Sequence, residues 1–102
     1  MANTTNIDVQ AVDNELILIA STGRGSSVLC HLKSGFGAPV SYKFNPGQIL
    51  PPGTYDLTAI GINWGGPWNF KVVSTPPIAG FAGSGTGGAG VVFSHTASIT
   101  TA

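Results

Sequence analysis

Charge is what this sequence has least of. Four Lys or Arg and four Asp or Glu are all its ionic side chains, 8 % of the chain, where an ordinary soluble domain carries roughly 25 %. The cations Arg24, Lys33, Lys43 and Lys71 are scattered among the anions Asp8, Asp13, Glu15 and Asp56, and the formal net charge is zero. Nucleic-acid binding needs several phosphate-facing cations on one face, so that function class is excluded. Cysteine is nearly absent as well. A single Cys30 cannot close an intrachain disulfide, and its place in an apolar alternation reads as a buried, inert thiol. No apolar run approaches the ~20 residues of a spanning helix. The start, Met-Ala-Asn-Thr-Thr, has neither the basic nor the apolar region of a secretory signal. A chain made in the cytoplasm without a signal peptide is expected, and no membrane partner.

What is present alternates with a period of two, and no helix-period stripe exceeds two turns. Ile7, Val9 and Ala11 mark one half-buried strand. Asp13-Asn14 reads as a tight turn. Glu15 to Ala20, ELILIA, is apolar on both faces and is expected to be a central strand covered on two sides. After the turn Thr22-Gly23-Arg24-Gly25, residues 26–33 place Val28, Cys30 and Leu32 on one face. Ser34-Gly35-Phe36-Gly37 breaks this strand, and Val40, Tyr42 and Phe44 mark the next. Pro51-Pro52-Gly53 forbids helix and opens a strand over 54–63, with a bulge or two-sided burial near Ile60 and Gly61. Gly65-Gly66-Pro67 is expected to close a hairpin into Trp68, Phe70 and Val72. Residues 91–100 form the last strand, with Val91, Phe93, His95, Ala97 and Ile99 on one side. The segment 78–90 holds six glycines in thirteen residues. It reads either as a loop or as an extended piece lying where only Gly and Ala fit.

About seven or eight short strands separated by turn signals predict an all-β fold, a single antiparallel β-sandwich or jelly-roll-like barrel. Residues 1–102 are read as one domain, with enough apolar side chains (42 %) for one core.

No catalytic constellation is present. Neither His31 nor His95 has a Cys, Asp or Glu at metal-ligand spacing, and no serine sits in a nucleophile elbow. Asp13, Asn14 and Glu15 offer calcium too few oxygens. GSGTGG lacks the lysine and helix of a phosphate loop. No cofactor and no metal are expected. The one candidate ligand site is Asn63, Trp64, Trp68 and Asn69, two indoles about a glycine turn with amides beside them. Aromatic planes stack on sugar faces and amides meet hydroxyls, so a neutral glycan is the ligand this pattern suits. The alternative is that Trp64 or Trp68 caps the sandwich core or packs at an interface, and the phase of Trp68 with Phe70 and Val72 points that way.

The stretch LPPGTYDLTAIGINWGGPWNFKVV, Leu50 to Val73, resembles a hairpin of small β-sandwich proteins of phage particles, of the head-fibre or decoration type. The resemblance rests on Leu50, Pro52, Gly53, Tyr55, Trp64, Gly65 and Gly66. Trp68 and the glycine-rich segment depart from the pattern. It implies a component of a particle surface or fibre.

Two functions follow as expectations. The first is a non-enzymatic structural protein that forms a homo-oligomer or joins other capsid subunits on a virion surface, with Phe81, Phe93 and His95 at the subunit interface. Such interfaces are aromatic-rich and poor in Lys, Glu and Asp, as is this chain. The second is a small cytoplasmic lectin, oligomeric and without a signal, that binds neutral carbohydrate through the Trp-containing turn.

Overall fold

A computed structural model describes residues 3–34 and 42–102. Val40 and the break at Gly35–Gly37 lie outside the described residues. Among the described residues there are eight strands: β1 Asn6–Asp13, β2 Glu15–Thr22, β3 Gly25–Lys33, β4 Tyr42–Phe44, β5 Gly53–Asn63, β6 Gly66–Thr75, β7 Ala82–Gly87 and β8 Gly90–Thr101. One 3-10 turn, Pro46–Gln48, precedes β5. The Asn45 side chain caps it by accepting from the Gly47 N–H at 2.9 Å.

The strands form two four-stranded antiparallel sheets, in the orders β4-β1-β6-β7 and β3-β2-β5-β8. The two pack face to face as a sandwich. Ile7, Val9, Val12 and Phe70 from the first sheet meet Leu16, Leu18, Leu57 and Ile99 from the second, all fully or almost fully buried. This is the expected all-β sandwich, and the alternation of apolar residues is its cause: one face of every strand must leave water.

Among the described strands, five of the seven consecutive pairs lie in different sheets; only β2–β3 and β6–β7 are neighbours within a sheet. Two expected turns are corrected here. Asp13-Asn14 turns the chain from β1 in one sheet to β2 in the other, and it does so without left-handed backbone, since among the described residues no non-glycine residue takes a positive φ. Gly65-Gly66-Pro67 likewise leads from β5 in one sheet to β6 in the other. Both are corners of the sandwich.

Three register shifts correct the expected faces. One falls between Val9 and Ala11, so Val12 rather than Ala11 enters the core. A second lies between Leu18 and Ile19 on β2. It sets Val28 opposite Ile19 and turns it outward, 62 % exposed, while Cys30 and Leu32 stay inward. The third, between Gly61 and Ile62, places Val91 outside at 65 % exposed. A bulge inserts one residue into a period of two, so each apolar side chain beyond it changes face.

β2 is central, as its sequence predicts, but the described residues cover only one of its faces. Leu16, Leu18 and Ala20 point into the core. Ile17 and Ile19 lie on the outer face, in register with Ile60 and Thr58 of β5. All four of these isoleucine and threonine side chains are half-buried by each other and remain open above.

The glycine-rich segment resolves as strand β7 over 82–87, paired with β6. Its extended form has a packing cause. A Cβ on Gly85 would lie 3.0 Å from the Trp68 ring, and one on Gly83 would lie 3.1 Å from the Phe93 ring. Gly61 is tighter still: a Cβ there would approach Phe70 Cε2 to 2.6 Å. Phe70 is fully buried and cannot swing away. Gly61→Ala is therefore expected to destabilise the fold by about 1–3 kcal/mol through overpacking. Chemical denaturation of the variant against the parent measures this.

Candidate functional site

Three corners meet at one end of the sandwich: Asn14 between β1 and β2, Trp64-Gly65 between β5 and β6, and Gly88-Ala89 between β7 and β8. Buried amides stitch them together. Asn14 Oδ1 accepts from the Trp64 backbone N–H at 2.9 Å. The Asn14 carbonyl accepts from the Ser34 N–H at 2.7 Å and from its hydroxyl at 3.3 Å. Asn63 Nδ2 donates to the carbonyls of Gly66, Gly87 and Gly88 at 3.0, 3.2 and 3.3 Å. Turning a chain between sheets strands backbone groups away from the ladders, and side-chain amides replace the missing partners. Among the described residues, Asn63 Oδ1 alone is a side-chain atom left buried without one.

The four residues of the candidate sugar site do not converge. Asn63 is fully buried in the corner. Trp64 is 49 % exposed on the outside. Trp68 turns to the inner face, half-buried, with its ring 5.7 Å from that of Phe70. Asn69 faces out from the other side of β6. Successive side chains on a strand point to opposite faces, which separates Trp68 from Asn69.

The exposed indole instead joins a polar cluster that sequence spacing did not reveal. His31 Nε2–H donates to Glu15 Oε2. Trp64 Nε1–H donates to Glu15 Oε1 at 3.2 Å. Lys33 Nζ lies 5.7 Å from the centre of the Trp64 ring. Glu15 and His31 are sixteen positions apart and meet because β2–β3 pairing sets Ile17 opposite His31, one diagonal step away. The His31 hydrogen bond, opposed by burial and aided by Trp64 and Lys33, holds the Glu15 carboxyl below its ordinary value. Beside it, Asn14 Nδ2 donates to Asp13 Oδ1. Among the described residues no group of three metal-ligating side chains gathers, and no pocket is present.

Phe81, Phe93 and His95 line the seam between the two sheets of one chain. Phe81 is 3 % exposed and belongs to the core. His95 is half-buried. It donates to the Ala79 carbonyl at 3.0 Å and stands edge-on to Phe81 at 4.7 Å. Gly80, at φ +94°, passes so close that a Cβ would strike the imidazole. Phe93, also half-buried, stacks on Phe70 at 5.9 Å. Cys30 is half-buried on the inner face, and burial pushes its thiol up to about 11. It stays protonated at neutral pH, an inert state for a thiol.

A carboxyl whose folded value is lowered contributes stability above its unfolded value and loses it as pH falls through the folded one. The corner cluster is thus expected to weaken on acidification below the ordinary carboxylate range. Glu15→Gln should flatten that part of the stability–pH curve, measured by denaturant unfolding between about pH 2 and pH 7.

No family model matches this chain, and neither a curated protein nor a solved structure matches it.

Proposed function

We propose that this chain is a non-enzymatic structural subunit that self-associates or decorates a larger assembly. The reading is carried by the unequal outer faces of the sandwich. The outside of the β4-β1-β6-β7 sheet bears Asp8 opposite Lys43 and Val73, and Lys71 opposite Ala11, an ordinary solvated surface. The outside of the other sheet bears Ile17, Ile19, Ile60 and Ile62 in its middle, with Val28 and Val91 at its flanks. Apolar surface gathered on one face is what subunit packing removes from water. A phage-particle setting rests on the resemblance over residues 50–73 and supplies the context in which such a subunit would work.

Neutral-sugar binding is the competing reading. The geometry favours it less, because Trp64 spends its N–H on Glu15 and the other three candidate residues lie elsewhere.

Apolar packing is insensitive to screening, whereas exposed ion pairs weaken beyond the Debye length. The purified protein is expected to be oligomeric at micromolar concentration in both about 50 mM and about 500 mM salt, as read by light scattering or sedimentation. A monomer under both conditions overturns the reading. Titration with simple neutral sugars should leave the tryptophan fluorescence unchanged. A saturable change that Trp64→Ala abolishes would establish the lectin instead.

A further inference from the structure

We infer that a second copy of this chain joins at the open edge of β8, its own β8 running antiparallel across a two-fold axis at Thr96. The inference rests on the self-associating reading above and adds the contact strand, its register and its symmetry.

Three observations carry it. The first is where the backbone of β8 points. In an antiparallel ladder, successive residues turn their N–H and C=O alternately to one neighbouring strand and the other. The Thr100 carbonyl accepts from the Thr4 N–H at 2.7 Å, so at Thr100 the backbone faces away from β5. From Phe93 to Thr101 the pairing with β5 is regular. Alternation therefore turns Ser98, Thr96 and Ser94 the same way. The Thr58 and Thr96 hydroxyls, 2.9 Å apart, agree with this, because cross-strand side chains approach most closely in pairs that exchange no backbone bonds. Thr4 occupies the edge at Thr100. Among the described residues, no strand and no backbone group occupies it between Ser94 and Ser98. The Ser94, Thr96 and Ser98 side chains are all exposed.

The second is that this edge is undefended. Sheet edges are kept from pairing by lysine, by proline or by being short. β3 carries Lys33, β4 is three residues long and carries Lys43, and β7 is six residues long. β8 has twelve residues with neither charge nor proline. Its one irregularity, at Val92, lies near the corner and outside the regular stretch. No Lys, Arg, Asp or Glu occurs anywhere in residues 72–102, so nothing on this strand repels a copy of itself.

The third is the symmetry of the strand, which names the occupant. Read outward from Thr96 in both directions, Ala97 answers His95, Ser98 answers Ser94 and Ile99 answers Phe93. Laid antiparallel on itself about Thr96, β8 sets hydroxyl against hydroxyl on the outer face. On the inner face the large imidazole meets the small alanine. A two-fold contact is isologous, so Thr96 meets its own counterpart and Ser94 meets Ser98 twice. Each of these facing pairs exchanges both of its N–H···O bonds. Strand addition of this kind draws its affinity from main-chain hydrogen bonds rather than from apolar area. An unrelated strand would find the bonds but not the matched row.

The test joins sedimentation to amide hydrogen exchange read by nuclear magnetic resonance, with circular dichroism confirming the fold of every variant. In the parent, the Ser94, Thr96 and Ser98 amides should exchange quickly in dilute solution and become protected as the dimer forms. The His95 and Ala97 amides, turned towards β5, should be protected throughout. Thr96→Pro removes an N–H that the monomer's ladder does not use and should raise the dimer dissociation constant at least about tenfold. Should that variant fail to fold, Thr96→Lys and Thr96→Glu replace it. Each alone sets like charges face to face and should weaken the dimer, and an equimolar mixture of the two should restore it. An oligomer that survives a folded Thr96→Pro, with the Ser94 and Ser98 amides still exchanging quickly, overturns the contact strand and leaves self-association standing. Charged variants that dissociate singly and stay apart when mixed overturn the two-fold at Thr96. A parent that is monomeric at every concentration overturns both this inference and the reading beneath it.

Discussion

The ring of Phe70 fills the space over Gly61 in the opposite sheet, and much of the sandwich is arranged around that contact. Phe70 stacks on Phe93 and lies beside Trp68, so three large rings occupy one side of the core. Rings of that size need room, and β7 provides it by having no side chains where they lie. Gly83 and Gly85 face Phe93 and Trp68 as bare backbone. Glycine normally weakens a strand. Here the loss is offset by aromatic area that no larger residue would admit. Glycine-rich composition and aromatic packing are two sides of one steric requirement.

That requirement explains what could be read from the sequence and what could not. Strand positions followed from alternation, and the bulge near Gly61 was visible as a switch of apolar phase. The fate of residues 78–90 was not decidable locally. Glycine density signals a loop unless rings from β6 and β8 lie above it, and those rings come from other parts of the chain. The misplaced faces of Ala11, Val28 and Val91 share a cause: a bulge adds one residue to a period of two, and its position is set by the partner strand.

The candidate site shows the same division. Trp68 in phase with Phe70 and Val72 was a correct signal of inward packing, and it alone separates the two indoles. The amide network of Asn14 and Asn63 could not be foreseen, because it depends on three corners meeting at one end of the fold. Glu15 and His31 carry no spacing signature, since sheet register joins them. A search along the sequence finds motifs whose residues are neighbours in the chain. Here the chemistry sits where strands distant in sequence are brought side by side.

The few connections that stay within a sheet bear on how the chain reaches this state. β1 must find β6, and β5 must find β2, across long stretches of sequence. Such non-local topology slows folding towards milliseconds to seconds. The β2–β3 hairpin is local and can form early. Until the β1 and β5 partners arrive, it presents Leu16 and Leu18 on one surface and Ile17 and Ile19 on the other. A nascent ribbon that is sticky on both sides, with scarcely a charge to hold off its neighbours, makes crowded synthesis the hazardous stage in the life of this protein.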